Sequence, residues 1–191
     1  MHQPKALLFD FFDVIRTDSY KAWLQANNIP HEGPYFEASR QQDMGAITTE
    51  RFIEILSELT GRPVTTEEID STATVDDEVV RIIADLQKKY KLALISNAPA
   101  KFLRGLLAAH NLEQYFDIIV ISSEVGMVKP DPEIFHLALQ KLSIAPADAI
   151  FVDDNIRHVE SAAKIGIHAI QFISASQLQA ALAEFGVTLS S

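Results

Sequence analysis

The sequence predicts an α/β fold: a doubly wound parallel sheet as the core, carrying a small all-helical insertion. Three observations support this. From Lys91 onward, apolar runs of strand length alternate with helical periodicity. Residues 16–89 break that alternation and read as helices only. Finally, Ala6-Leu7-Leu8-Phe9, Lys91-Leu92-Ala93-Leu94-Ile95 and Ala149-Ile150-Phe151-Val152 run into Asp10, Ser96-Asn97 and Asp153-Asp154. In an open parallel sheet such strand ends lie side by side, on the edge where ligands bind.

The elements follow in order. Ala6–Phe9 is the first strand. In the insertion, Phe52, Ile55, Leu56 and Leu59 have helical spacing, and Gly61-Arg62-Pro63 ends that helix. Thr65 and Glu68 form a capping-box signature for the next. Val79, Ile82, Ile83 and Leu86 stripe a helix that leads back into the core, with Lys88 and Lys89 suited to its C-terminal dipole. The core is therefore expected at 1–15 and 76–191, and the insertion at 16–75. A segment that small does not make a robust independent domain, so it is expected to lean on the core as a cap over the sheet edge.

Beyond Lys91–Ile95, Pro99–His110 reads as a helix with Pro99 in its first turn. Asp117–Ser122 is a strand, and Pro132–Leu142 a helix with Phe135, Ala138, Leu139 and Leu142 on one face. Ala149–Val152 is a strand, Ile156–Ile165 a helix stopped by Gly166, and Ile167–Phe172 a strand. Leu178, Ala181, Leu182 and Phe185 mark a last helix, closed by Gly186.

Composition narrows the function classes. The chain has 191 residues and 48% hydrophobic content, enough for a substantial core. A net charge of -10 makes nucleic acid and anionic membranes poor partners. The absence of cysteine excludes disulfide and thiol chemistry and fits a cytoplasmic protein. No apolar stretch approaches membrane-spanning length. Asp10 and Asp13 interrupt the first apolar segment, so it does not read as a signal peptide.

Four motifs stand in order: Phe9-Asp10-Phe11-Phe12-Asp13-Val14-Ile15, Leu94-Ile95-Ser96-Asn97, Gly126-Met127-Val128-Lys129-Pro130-Asp131-Pro132 and Phe151-Val152-Asp153-Asp154-Asn155. A carboxylate ending a buried strand is costly unless chemistry uses it. Asp10, Asp153 and Asp154 converging in one pocket would raise one another's pKa. Lys129 offsets one charge, and a hard divalent cation such as Mg²⁺ suits the remainder.

Together these motifs resemble the haloacid dehalogenase superfamily, most of whose members are phosphatases. The resemblance spans essentially the whole chain, including a helical cap after the first motif, and implies a Rossmann-like core. It implies that Asp10 is a nucleophile that becomes an aspartyl phosphate. Ser96 would hydrogen-bond the phosphoryl oxygens, helped by the Asn97 and Ala98 backbone amides at a helix N-terminus. Lys129 would neutralise nucleophile and phosphoryl charge, serving catalysis and substrate binding alike. Asp10 and Asp153, with the backbone carbonyl of Phe12, would ligate Mg²⁺, and Asp154 would support Lys129 or a metal-bound water. Plainer roles compete at some positions: a turn residue for Asp10, a cap pair for Ser96-Asn97, an acidic helix start for Asp154. Asp131 is expected to cap the helix at Pro132.

The departure is Phe12. The family's phosphatases usually carry a second Asp two residues after the nucleophile, which protonates the leaving group and later activates water. Such help is typically worth about 10²–10⁴-fold. Asp13, standing where glycine is usual, is the candidate acid/base substitute, although on an extended segment its side chain would point away from that of Phe12. Relatives of the glucose-1-phosphate phosphatase type also lack that Asp.

The expected function is a Mg²⁺-dependent phosphatase of small phosphorylated metabolites, sugar phosphates among them, with weakened acid–base catalysis and a first step less impaired than the second. Two alternatives stay open. Phe12 and Ser96-Asn97 also suit a 2-haloacid dehalogenase, against which Asp153-Asp154 argues. Phe12 equally suits a degenerate module that holds Mg²⁺ and a phosphorylated ligand, or a protein partner. In the insertion Trp23, His31, Arg40 and Gln41 could face the pocket, with Trp23 better suited to packing and Arg40 to solvent. His110, His136 and His158 show no metal-ligand pairing.

Overall fold

The computed structural model describes residues 3–189, so positions 1–2 and 190–191 of the expected core lie outside the described residues. Strands β1 (Ala6–Phe9), β2 (Lys91–Ser96), β3 (Ile118–Ile121), β4 (Ala149–Asp153) and β5 (His168–Gln171) form a five-stranded sheet in the order β3-β2-β1-β4-β5. All its pairings are parallel. Phe9 pairs with Leu94 on one side and Val152 on the other, so the ends of β1, β2 and β4 are level. The chain runs outward from β1 through β2 to β3, then returns to β4 across β1. Such a reversal opens a crevice at the carboxyl ends of the strands.

Helices α1 (Ser19–Ala26), α2 (Gly33–Asp43), α3 (Thr49–Thr60) and α4 (Thr66–Asp70) precede β2, together with α5 (Asp77–Leu86). After it come α6 (Ala100–Ala109), α7 (Ser122–Val125), α8 (Pro132–Leu142), α9 (Ile156–Lys164) and α10 (Ala175–Glu184). The two-residue period of the strands divides the core. Leu7, Phe9, Leu94 and Val152 pack with Val79 and Ile83 of α5, Leu103 of α6 and Leu178 of α10. Leu8, Ala93, Ile95 and Phe151 pack on the other face with Phe135 and Leu139 of α8 and Ala162 of α9.

Helices α1–α4 have an apolar cluster of their own, built from Trp23, Leu24, Ala38, Phe52, Leu56, Val64 and Ile69. The chain enters and leaves this unit at an antiparallel bridge between Arg16 and Val75. Buried Arg16 also pairs with Asp70 of α4 at 2.7 Å. Trp23 is packed as expected, and its Nε1 donates to Glu68 at 2.7 Å. The capping box forms by half. Thr65 Oγ1 accepts the Glu68 N–H at 3.2 Å, but the Glu68 carboxylate is taken by Trp23 and Arg62. Leu59, expected on the buried face of α3, is exposed, because the contact face centres on Phe52 and Leu56.

The end of α2 docks on the core. Ser122 Oγ, at the start of α7, donates to the Asp43 carbonyl. Gly45 follows with φ +72°, and a Cβ there would stand 3.0 Å from the Ser123 carbonyl oxygen. This approach requires glycine.

Candidate active site

Asp10 continues the β1–β4 ladder by one residue, its N–H donating to the Val152 carbonyl at 2.9 Å. That brings it level with Asp153 at the end of β4. Lys129 Nζ lies between the two carboxylates, 2.7 Å from Asp10 Oδ1 and 2.7 Å from Asp153 Oδ2. All three residues are buried. Asp10 Oδ1 also accepts the Phe11 N–H at 2.6 Å, and Oδ2 has no hydrogen-bond partner among the described residues.

The two carboxyls are tuned in opposite directions. Burial raises Asp10 well above the usual carboxylate range; Lys129 opposes this and the Asp153 charge adds to it. Burial acts on Asp153 as well, but Lys129 and His158 outweigh it and hold that carboxyl well below its usual range. For Lys129 the two carboxylates overcome burial and keep the ammonium charged. His158 shows no metal-ligand pairing in linear spacing, yet its Nδ1 stands 3.0 Å from Asp153 Oδ1. The first turn of α9 swings the ring back over the strand end. Donor atoms of Asp10, Asp153 and His158 all lie within 4.8 Å of one another.

Lys129 is held by Asn97. Asn97 Nδ2 donates to the Lys129 carbonyl at 2.9 Å, and its Oδ1 accepts the Lys129 N–H at 2.8 Å. The Asn97 side chain is thus committed to the lysine backbone, whereas the group expected to meet substrate was its backbone amide. The Ala98 amide is also committed, donating to Ser122 Oγ at 2.9 Å. Helix α6 begins at Ala100, so Pro99 stands at its cap. Asp131 occupies the cap position of α8 but makes no side-chain capping bond. Ser96 Oγ, at the end of β2, is buried with no hydrogen-bond partner among the described residues. Such groups are rare in folded proteins, and this hydroxyl stands ready to donate at the end of β2.

The segment after Asp10 is not extended. Asp13 has φ +56°, and the chain turns back so that the Asp13 N–H meets the Arg16 carbonyl at 2.7 Å. The expected strand-like alternation of Phe12 and Asp13 therefore does not hold. Asp13 accepts the Asp18 N–H at 2.9 Å and pairs with Lys21 of α1 at 2.6 Å. Lys21 also reaches Asp154 at 3.3 Å. Asp154 thus pairs with a lysine the sequence did not single out, whereas Lys129 is held by Asp10 and Asp153. The Phe12 ring stacks on Phe102 of α6, centroids 6.4 Å apart, and meets Phe11 edge-on at 5.1 Å.

A cavity of about 530 Å³ opens over these groups, lined by Asp10, Phe12, Asp13, Asp43, Asn97 and Lys129 among others. His31 and Arg40 line it from the helical unit. Gln41 does not line it and bonds Glu37 at 2.9 Å instead. A smaller cavity of about 140 Å³ adjoins, sharing Phe12, Asp43 and Asn97 and walled by Tyr20, Phe52, Ile53 and Phe102. The arrangement offers a buried carboxylate with one free oxygen, an ammonium between two carboxylates, and an unpartnered hydroxyl.

The chain is similar to known proteins. The chain is 34% identical over 143 residues to mouse (Mus musculus) acyl-CoA dehydrogenase family member 10, which covers 66% of the chain but only 13% of that relative. It is 25% identical over 187 residues to a D-ribitol-5-phosphate phosphatase of Bacteroides thetaiotaomicron, covering 87% of the chain and 91% of the relative. Among solved structures, an enzyme of the same organism in complex with magnesium and inorganic phosphate superposes with a TM-score of 0.70 at 24% identity, covering 92% of this chain and 98% of that one. This last likeness shows the fold. The family model for haloacid dehalogenase-like hydrolases matches residues 4–166, most of the chain, and the chain belongs to that family.

Proposed function

We propose that the chain is a phosphatase of small phosphorylated metabolites that works through an aspartyl phosphate on Asp10. The observation that carries this reading is Lys129 Nζ bridging Asp10 and Asp153 at 2.7 Å each. Such an ammonium shields the nucleophile from the negative charge of an incoming phosphoryl group. Ser96 Oγ is free to donate to a phosphoryl oxygen. The larger cavity, about 530 Å³, suits a metabolite-sized ligand. The named activity of the D-ribitol-5-phosphate relative favours polyol and sugar phosphates. Residues 16–75 act as the cap in this reading, with 1–15 and 76–191 as the core.

The donor set fits a divalent cation. Asp10 keeps a free oxygen, Asp153 lies beside it, and their negative charges exceed what Lys129 alone offsets. Asp10, Asp153 and the Phe12 carbonyl would hold Mg²⁺, with Asp154 at the rim. When bound, Mg²⁺ favours the ionised form of Asp10 and neutralises phosphoryl charge. The chain's own residues do the rest: Asp10 attacks, Lys129 and Ser96 orient the phosphoryl oxygens, and Asn97 fixes Lys129. Phe12 brings no proton to this step.

Phosphate release from 4-nitrophenyl phosphate and a panel of sugar and polyol phosphates, with Mg²⁺ and with chelator, tests the reading. Mg²⁺-dependent release that Asp10→Asn abolishes is expected. Release unaffected by that substitution would overturn it.

A further inference from the structure

With Phe12 in place of a carboxylate, the site still needs a group to carry protons. Asp13 is engaged by Lys21 and by the Asp18 N–H. We propose that Asp43, the last residue of α2, is that proton carrier, protonating the leaving oxygen and then accepting the proton of the attacking water. This inference rests on the phosphatase reading.

Asp43 lines both cavities, sharing the larger with Asp10 and Lys129 and each of them with Phe12 and Asn97. Its carboxylate has no hydrogen-bond or ion-pair partner among the described residues. Its backbone is fixed to the site. The Asp43 carbonyl accepts from Ser122 Oγ, and that oxygen accepts the Ala98 N–H at 2.9 Å. Two hydrogen bonds thus tie Asp43 to the turn that carries Ser96 and Asn97. On the far side, Gln42 Nε2 donates to Thr49 Oγ1 at 3.2 Å and steadies the α2–α3 turn.

The surroundings favour a shared proton. A carboxylate at a helix C-terminus faces the negative end of the dipole. Burial pushes Asp43 up to about 7; the Asp18 charge adds to this and Lys129 opposes it. Besides Asp18 and Lys129, the charged or titratable groups lining the two cavities are Asp10, Asp13, Tyr20, Lys21, His31, Arg40, Asp70, Asp131, Asp154, Arg157 and His158. Facing residues of α3 are uncharged Thr49, Phe52 and Ile53, and α7 presents Ser122 and Ser123. A carboxyl balanced near neutrality can give a proton in one half-reaction and take it back in the next.

The steps balance. An Asp10 oxygen bonds to phosphorus, the bond from phosphorus to the leaving oxygen breaks, and the Asp43 proton passes to that oxygen, releasing an alcohol. Water then attacks phosphorus, and the Asp10–phosphorus bond breaks with its electron pair returning to Asp10. The water's proton restores the Asp43 carboxyl, and phosphate leaves.

The test compares wild type with Asp43→Asn on an alkyl phosphate, glycerol phosphate, and on 4-nitrophenyl phosphate across pH, folding being followed by circular dichroism. Asp43→Asn is expected to lose about 10²–10⁴-fold in kcat/KM on the alkyl phosphate and far less on the aryl phosphate, whose leaving group needs no proton. It should also lose the pH limb near neutrality. Asp43→Glu, which keeps the carboxyl, should retain both behaviours, and Asp43→Ser repeats the comparison if Asn disturbs the helix end. Unchanged kinetics, or an equal loss on both substrates with an unaltered pH profile, would overturn the proposal while the phosphatase reading stands. A wild type that releases phosphate from neither substrate, or whose activity survives Asp10→Asn, would overturn both.

Discussion

Asn97 grips the backbone of Lys129 from both sides, Nδ2 to its carbonyl at 2.9 Å and Oδ1 from its N–H at 2.8 Å. The end of β2 thereby sets where the ammonium meets Asp10. Asn97→Ala should lower kcat by about 100-fold, the order of loss that follows a small misplacement of a reacting group. KM should change less than kcat. Asn97→Asp, which keeps the acceptor but loses the donor, should fall between. Steady-state kinetics on 4-nitrophenyl phosphate checks both variants.

Lys129 is the buried positive charge between two buried carboxylates. Lys129→Met should destabilise the fold by about 3–5 kcal/mol, because it leaves uncompensated charge inside. Urea unfolding near neutral pH measures this. In wild type the Asp153 contribution has a definite sign. Its folded-state pKa is depressed, so its stabilisation is present above the unfolded value of about 3.9 and fades as pH falls.

Asp43 has the opposite sign. Its folded-state pKa is raised to about 7, so the folded state binds the extra proton. Its stabilisation is complete below the unfolded value of about 3.9 and declines as pH rises towards 7, by at most about 1.4 kcal/mol per pH unit. Asp43→Asn should flatten that decline. Thermal unfolding across this range, compared with wild type, gives the slope.

Phe12→Asp offers a rescue. A carboxyl beside the nucleophile should restore alkyl-phosphate turnover to the Asp43→Asn variant by 10-fold or more, within the range of about 10²–10⁴ that a positioned acid supplies. The exchange also removes the stacking of Phe12 on Phe102, so some stability should be lost. Kinetics of the double variant and its unfolding midpoint check the two effects together.

Much of the site was legible in the sequence. Asp10, Ser96 and Asp153 end apolar runs, and a parallel sheet with level register must bring such ends together. The core alternation was legible because strand and helix periods differ. Contacts set by tertiary placement were not. Lys21 and Asp43 sit on helices whose docking decides where their side chains point. Asp43 left one faint signal, a carboxylate at a helix end that the dipole disfavours. The orientation of Asp13 was not legible, because its positive φ is a property of the turn rather than of an extended segment. Leu59 kept helical spacing yet lies outside the contact face of α3. His158 reaches Asp153 through the first turn of α9, a return path that linear spacing did not reveal.

The covalent state of Asp10 during turnover decides between an aspartyl phosphate and direct hydrolysis. Wild type mixed with acetyl phosphate and Mg²⁺ is quenched in acid within the first turnover and examined by intact-protein and peptide mass spectrometry. One phosphoryl adduct is expected, on the peptide carrying Asp10, absent from Asp10→Asn and more abundant in Asp43→Asn. Phosphate release at full rate with no adduct, or an adduct that persists in Asp10→Asn, would contradict an aspartyl phosphate on Asp10.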